Sequence, residues 1–283
     1  MSTAVLKISC PDRKGIVAEV CQILADCSAN IIDAQQHRED LDNQFFMYVK
    51  FDCSEINCER SILETRLKAK SELIGFDWSL SFKDQKKRLA IMVSKYDHCL
   101  YDLLLKHKYG ELDVDIALIL SNHPDLQATA EHFGVAYHHI PRNKDIREAA
   151  DQAAVDLFAK EKVDFIAMAR YMQILTPILI QAYPNKIINV HHGFLPAFKG
   201  AKPYHQAYAK GVKLIGSTSH YANEELDMGP IIDQVTVPVT HAHSAEDMVR
   251  AGRDMENRVL ANAVKAHASD RIIVYKGRTI IFD

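Results

Sequence analysis

Four short, continuous apolar runs constrain this chain most: L-A-I-M-V-S at 89–94, V-D-I-A-L-I-L-S at 114–121, V-D-F-I-A-M at 163–168 and I-I-N-V at 187–190. Each has strand length and is rich in aliphatic residues. Between them lie helical patterns: 98–107, with Leu100, Leu103, Leu104 and Leu105, then 128–133, 144–161 and 177–183. A further short strand fits 135–140. Apolar strands alternating with helices predict a mostly parallel, doubly wound α/β sheet, buried on both faces. Such a sheet binds ligands outside the carboxyl ends of its strands, so polar residues there are the first candidates for chemistry.

Those candidates cluster between 187 and 234, which reads as strand, loop, helix, strand, loop, strand. Asn189 and His191 are two apart, so an extended strand points them to one side and Val190 to the other. His192 is then expected to face away from His191, as loop structure or a supporting partner. His220 closes the β-like run G-S-T-S-H-Y, and Asp227 follows in a loop ended by Gly229-Pro230. An amide, two imidazoles and a carboxylate at one place can polarise a carbonyl and manage a proton. Asn189 has an amide N–H to offer an oxyanion. His191 can take either protonation state near neutrality. Asp227 can orient or deprotonate water and hold an imidazolium, with His220 as its hydrogen-bond partner. Glu224 and Glu225 read as solvated loop acids.

The first third has a different pattern. A strand at 3–9, a turn C-P-D-R-K-G, a helix from Ile16, strands at 30–36 and 44–51, a helix with Ile62, Leu63, Leu67 and Leu73 on one side, and a strand alternating Trp78, Leu80 and Phe82 give the order βαββαβ. This is the ferredoxin-like arrangement. The charged run 83–88 has no apolar anchor and marks the boundary, giving 1–84 and 85–283. A long helix at 245–267 and a β-hairpin over 271–282 end the chain.

Composition excludes several classes. A net charge of −3 gives no electrostatic case for nucleic acid or an acidic membrane surface, and no apolar run approaches bilayer length. The start lacks a basic region and apolar core, so no signal peptide is expected and the cytoplasm is the expected compartment. None of the six cysteines is in C-x-x-C spacing, which speaks against a metal site or a disulfide framework and for small, buried or half-buried thiols.

Asn-x-His at a strand end, L-P-A-F-K-G after it and H-Y-(x)5-D-x-G-P-I-I downstream resemble the catalytic core of the formyltetrahydrofolate-using formyltransferase family. The variant H-H-G-F-L-P-A-F-K-G-A-K-P-Y-H-Q-A is similar to the hydrolase branch, the formyltetrahydrofolate deformylases. P-D-R-K-G-I-V at the first strand–helix junction resembles an ACT domain. The resemblance spans essentially the whole chain and implies an ACT domain followed by a formyltransferase-type sheet domain.

It also implies the chemistry: hydrolysis of 10-formyltetrahydrofolate to tetrahydrofolate and formate, with Asp227, His191 and Asn189 catalytic and no metal or redox cofactor. Met172, Gln173, Ile174 and Leu175, in the R-Y-M-Q-I-L segment, correspond to the part that takes the pterin ring; His220 completes the set, and the loop 222–227 closes the other side. Glycinamide ribonucleotide transferases carry a Gly-rich, phosphate-cradling turn after the first strand of this domain. Here that stretch, S-K-Y-D-H-C at 94–99, has no glycine and includes an acid, which points to water as the acceptor. Transfer to an unphosphorylated amine and a binding protein without turnover are the alternatives. By the same resemblance, formate supply for purine synthesis and balance of one-carbon pools is the role. The ACT module is expected either to bind an amino-acid effector such as glycine or methionine, with Gly15 letting backbone N–H groups approach a carboxylate, or only to pair subunits into a homodimer or homotetramer.

Overall fold

The computed structural model describes residues 3–197 and 202–283. The end of the L-P-A-F-K-G motif, at 198–200, lies outside the described residues. The chain forms two compact units: residues up to Gln85 together with Phe282–Asp283, and Lys86–Ile281.

The first unit runs β1 (Thr3–Pro11), α1 (Ile16–Ala25), β2 (Asn30–Glu39), β3 (Gln44–Asp52), α2 (Arg60–Ile74) and β4 (Asp77–Phe82). Its four strands pair in the antiparallel order β2-β3-β1-β4. Alternation puts Leu6 and Ile8 of β1 and Met47, Val49 and Phe51 of β3 on one face, against Val20 and Leu24 of α1 and Leu63 and Leu67 of α2. Ile62 and Leu73, expected on the apolar side of α2, are exposed. The buried stripe follows Leu63 and Leu67, and Leu73 lies about 240° round the helix from Leu67. The last two residues pack here too: the Phe282 ring stacks on Tyr48 with centroids 5.6 Å apart, and the Asp283 amide donates to Gln35 Oε1 at 2.9 Å.

The second unit runs β5 (Lys87–Val93), α3 (His98–Lys108), β6 (Val114–Ser121), α4 (Gln127–His132), β7 (Tyr137–His139), α5 (Arg147–Lys160), β8 (Phe165–Met168), α6 (Pro177–Ala182), β9 (Ile187–His191), α7 (Pro203–Lys210), β10 (Leu214–Tyr221), β11 (Ile231–Pro238), α8 (Ala245–Ala268), β12 (Ile272–Tyr275) and β13 (Arg278–Ile281). Seven strands form one sheet in the order β11-β10-β9-β8-β5-β6-β7. The pairs from β9 to β7 are parallel; β10 adds antiparallel to β9, and β11 antiparallel to β10. The expected doubly wound sheet is present. Leu89, Ile91 and Val93 of β5 face a cluster that holds Leu100 and Leu104 of α3 and Val259, Leu260 and Val264 of α8. Ala90 and Met92 face the opposite cluster, with Phe158 of α5 and Leu179 of α6.

Local chemistry moves three boundaries from their expected places. Lys87 and Arg88 belong to β5 rather than to a connector, because the Lys87 ammonium donates to Asp270 Oδ1 at 2.5 Å and to the His267 carbonyl, and Arg88 pairs with Asp115. Helix α5 starts at Arg147, since Asn143 Oδ1 accepts the amides of Asp145 and Ile146 and turns the chain first. Strand β7 is three residues long, shorter than 135–140. Leu105, placed on the apolar face of α3, is exposed. The terminal hairpin turns through Lys276 and Gly277 with φ of 47° and 74°, the primed geometry that matches strand twist. No helix of the described residues is long and apolar enough to cross a membrane.

Helix α8 begins with a Ser244–Asp247 capping box and passes Tyr204 of α7 at Gly252. A Cβ on Gly252 would lie 2.3 Å from the Tyr204 ring. Gly252→Ala is therefore expected to cost about 1–3 kcal/mol by overpacking. Chemical denaturation of the purified variant checks it: the midpoint falls, and an unchanged midpoint contradicts the contact.

Candidate active site

The site is built where the parallel sheet gives way to antiparallel pairing. The β9–β10 register sets His220 opposite Asn189, so the two side chains meet across the strands. The Asn189 amide nitrogen lies 3.1 Å from His220 Nε2, and His220 Nδ1 lies 2.9 Å from the Tyr221 carbonyl. A carbonyl only accepts, so Nδ1 carries the proton and donates. In the neutral ring Nε2 then presents a lone pair, to which Asn189 donates one N–H. That leaves the second amide N–H of Asn189 for a ligand.

Asp227 arrives on the loop between β10 and β11. Two backbone features set its position. The Tyr221 amide donates to the Pro230 carbonyl at 2.9 Å, which closes the loop. Gly229 packs so tightly that a Cβ would lie 1.7 Å from the Tyr221 carbonyl oxygen. Asp227 itself has φ 58°, a left-handed conformation that a short polar residue tolerates. Its Oδ2 is 3.2 Å from His191 Nδ1, and its Oδ1 is 3.7 Å from His220 Nε2. The direct hydrogen bond expected from His220 to Asp227 is not formed: His220 Nε2 accepts from Asn189 and stands 3.7 Å from Asp227 Oδ1. Burial raises the Asp227 carboxyl pKa, but the two histidines outweigh it together and hold the group well below the usual carboxylate range.

His192 departs from expectation. Strand β9 ends at His191, so alternation stops there, and His192 lines the same cavity as His191, with ring centroids 5.3 Å apart. Burial, helped by the Arg170 guanidinium, pushes its pKa down to about 4, so the ring is neutral near pH 7.

The cavity has a volume of about 290 Å³ and runs between two apolar lips. On one, Met172 and Ile174 are 52% and 63% exposed; on the other, Leu226 is 58% exposed. Large apolar side chains held open at a cavity mouth suit a flat aromatic ring. Gln173 and Leu175 line the same wall, and Glu224 and Glu225 stand at the rim as exposed acids. A buried ion pair braces the Met172 segment from behind: Arg142 Nη2 donates to Asp151 Oδ2 at 2.9 Å and to the Ile174 carbonyl at 2.7 Å, and Asp151 accepts the Thr176 amide.

A second buried polar set was absent from the sequence-based site. Glu256 of α8 accepts from His98 Nε2 at 2.8 Å and from the Tyr204 hydroxyl at 3.2 Å, and lies 3.3 Å from Arg170 Nη1. The signal was available: Glu256 interrupts the apolar stripe of Met248, Met255, Val259 and Leu260 on one helix. His98, Cys99 and Glu256 bring ligand-type atoms within 4.8 Å of one another. Their chemistry does not favour a metal: His98 and Tyr204 donate to the carboxylate, the Arg170 guanidinium lies beside it as counter-charge, and burial pushes the Cys99 thiol well up.

The formyl transferase family matches residues 87–264 and the ACT domain family residues 4–57. The formyltetrahydrofolate deformylase of Synechocystis sp. is 44% identical over 99% of this chain and 98% of its own length. The chain belongs to the formyltetrahydrofolate deformylase family. The Bacillus subtilis deformylase is likewise 44% identical, over 98% of this chain and 93% of its own. The crystal structure of a deformylase from Pseudomonas syringae pv. tomato superposes with a TM-score of 0.97 at 43% identity, covering 100% of this chain and 95% of that one. Family membership thus extends across both units, and the ACT-plus-formyltransferase architecture expected from the motifs is the observed one.

Two outcomes follow from this geometry. Gly229→Ala must push the Asp227 loop off Tyr221, so the deformylase reaction should slow by about 10²-fold with the far-ultraviolet circular dichroism unchanged; an unaltered rate would refute the close approach. His192 has a folded pKa near 4 against an ordinary 6.5. Between these values the unfolded chain binds more protons, so stability rises with pH across that window and is lost on acidification through it. His192→Gln should flatten the rise by on the order of 3 kcal/mol, as measured by denaturation at stepped pH.

Proposed function

We propose that this protein hydrolyses 10-formyltetrahydrofolate to tetrahydrofolate and formate. The observation that carries the reading is the ionised Asp227 carboxylate 3.2 Å from His191 Nδ1, beside Asn189, in a cavity with apolar lips. The pterin ring lies between Met172, Ile174 and Leu226, with Gln173 and Leu175 on the same wall, and the formyl group reaches Asn189 and His191. Asp227 orients a water and draws on its proton. The water oxygen bonds to the formyl carbon, and the carbonyl oxygen becomes an oxyanion held by the second Asn189 N–H and by His191 Nε2–H. With Asp227 fixing Nδ1–H, the imidazolium form of His191 gives its Nε2 proton to N10 as the C–N10 bond breaks, and the proton Asp227 drew from water then restores it. Tetrahydrofolate leaves with N–H at N10, and formate leaves with the remaining proton lost to solvent. The reaction draws on the substrate, water and these side chains alone. His220 positions Asn189 and supports Asp227.

By the same reading the enzyme acts in the cytoplasm, feeds formate to purine synthesis and balances one-carbon pools. Its ACT unit answers to an amino acid such as glycine or methionine and pairs subunits into a homodimer or homotetramer. The glycine at the start of α1 supports an amino-acid site: Gly15 has φ 92°, so its backbone can present amides to a carboxylate.

Purified protein given 10-formyltetrahydrofolate and no amine should release tetrahydrofolate and formate in equal amounts. Release that requires an added amine would make it a transferase instead, and tight binding without release would make it a binding protein. Asp227→Asn should lower turnover about 10³-fold or more while folate binding, followed by fluorescence titration, stays close to wild type. Wild-type rates in that variant would remove Asp227 from the mechanism.

A further inference from the structure

The strand order reverses between β5 and β8: from β5 the chain builds β6 and β7 on one side, then β8 and β9 on the other. In a doubly wound sheet the crevice outside the carboxyl ends of two such strands receives a ligand. Strand β5 ends at Val93 and β8 at Met168, so the segments that follow them border this crevice. Here it contains a side chain of the protein. Arg170 is 9% exposed, its backbone is left-handed with φ 63°, and it lines the reaction cavity. Tyr96, from the segment after β5, stacks over the guanidinium at 4.8 Å. Glu256 holds the same group from α8, and is held in turn by His98 of α3 and Tyr204 of α7.

This arrangement is costly. A left-handed backbone is strained for a non-glycine residue, and a buried ion pair adds little stability beyond an apolar replacement of the same volume. Moreover, Arg170 Nε and Nη1 make no hydrogen bond among the described residues, although both are buried. Buried donors of this kind are ordinarily met by water, and this cavity wall also carries His192 and His191.

We propose that Arg170, pinned by Glu256 and covered by Tyr96, fills the crevice in which a second substrate would sit, leaving space and hydrogen-bond donors for water alone. It is a specificity-determining residue: it makes water the acceptor and excludes amines. The inference rests on the formyl-transfer reading of the adjoining site. With an amine acceptor the steps remain balanced. The amine nitrogen bonds to the formyl carbon, the C–N10 bond breaks, N10 takes the proton the amine loses, and tetrahydrofolate leaves beside an N-formyl amine.

The test is product partition. Enzyme and 10-formyltetrahydrofolate are incubated with methoxyamine, an amine unprotonated at neutral pH, and N-formyl methoxyamine and formate are both quantified. Their ratio does not depend on how much enzyme is active, so a partly unfolded variant still reports. Wild type and Arg170→Met, which keeps the volume, should give formate almost exclusively. Arg170→Ala should raise the ratio about tenfold or more, as should the double variant Arg170→Ala/Glu256→Ala, which leaves no unpaired buried charge. An unchanged ratio in Arg170→Ala, or an equal rise in Arg170→Met, overturns the inference. So does complete loss of turnover in both alanine variants, since hydrolysis by Asn189, His191 and Asp227 does not require a filled crevice. Wild-type protein that releases no tetrahydrofolate with or without amine would bring down the hydrolase reading itself, and this inference with it.

Discussion

The antiparallel pairing of β9 with β10 is the interaction on which the candidate site depends. One register sets Asn189 against His220 and Thr218 against His191. The hydroxyls of β10 then hold β9 and the loop after it: Ser217 donates to the His191 carbonyl, Ser219 to the Asn189 carbonyl, and Thr218 to the Gly193 carbonyl while accepting the Leu195 amide. Because side chains alternate along a strand, a slip of one residue would turn His220 and Thr218 to the wrong face and break all of these contacts at once. The run G-S-T-S-H-Y is small and polar where a buried strand is ordinarily apolar, and these bonds are the reason.

From that pairing the rest of the site follows by short, rigid connections. The Tyr221 carbonyl accepts from His220, and the same oxygen is the surface against which Gly229 packs. One backbone atom therefore sets both the tautomer of a histidine and the course of the loop that delivers Asp227. The polarity of His191 is set in turn by Asp227, whose carboxylate accepts from Nδ1–H. Asn189, His220, Asp227 and His191 thus form a chain of contacts in which each member fixes the next, which would leave little reorganisation for the proposed reaction.

Two buried ion pairs flank the cavity and differ in what they do. Arg142–Asp151 also satisfies backbone groups of the Met172 wall, the Ile174 carbonyl and the Thr176 amide, and so holds apolar side chains open to solvent. Among the described residues Arg170–Glu256 bonds to no backbone of that wall, and it spans the strand-order reversal. Neither pair is an efficient source of stability in a buried setting, so their value lies in geometry.

Much of the fold was legible in the residues. Length and apolarity of the strand runs, helical spacing between them and the βαββαβ order of the first third are local properties, and they specified the two sheets. The spacing of Asn189 and His191 on one strand likewise required only the two-residue alternation. What failed was also local in origin: Ile62, Leu73 and Leu105 looked apolar-faced because a helix's phase is ambiguous until its partner is known, and His192 was turned away because the end of β9 could not be seen. Glu256 and Arg170 lie 86 residues apart, and no pattern in the chain joins them. The sequence by itself therefore determined the elements, their type and the family to which they belong, since periodicity and motif spacing act within a strand or helix. Only the tertiary structure decided which polar groups meet, because Asp227 reaches His191 and Glu256 reaches Arg170 through the packing of elements distant along the chain.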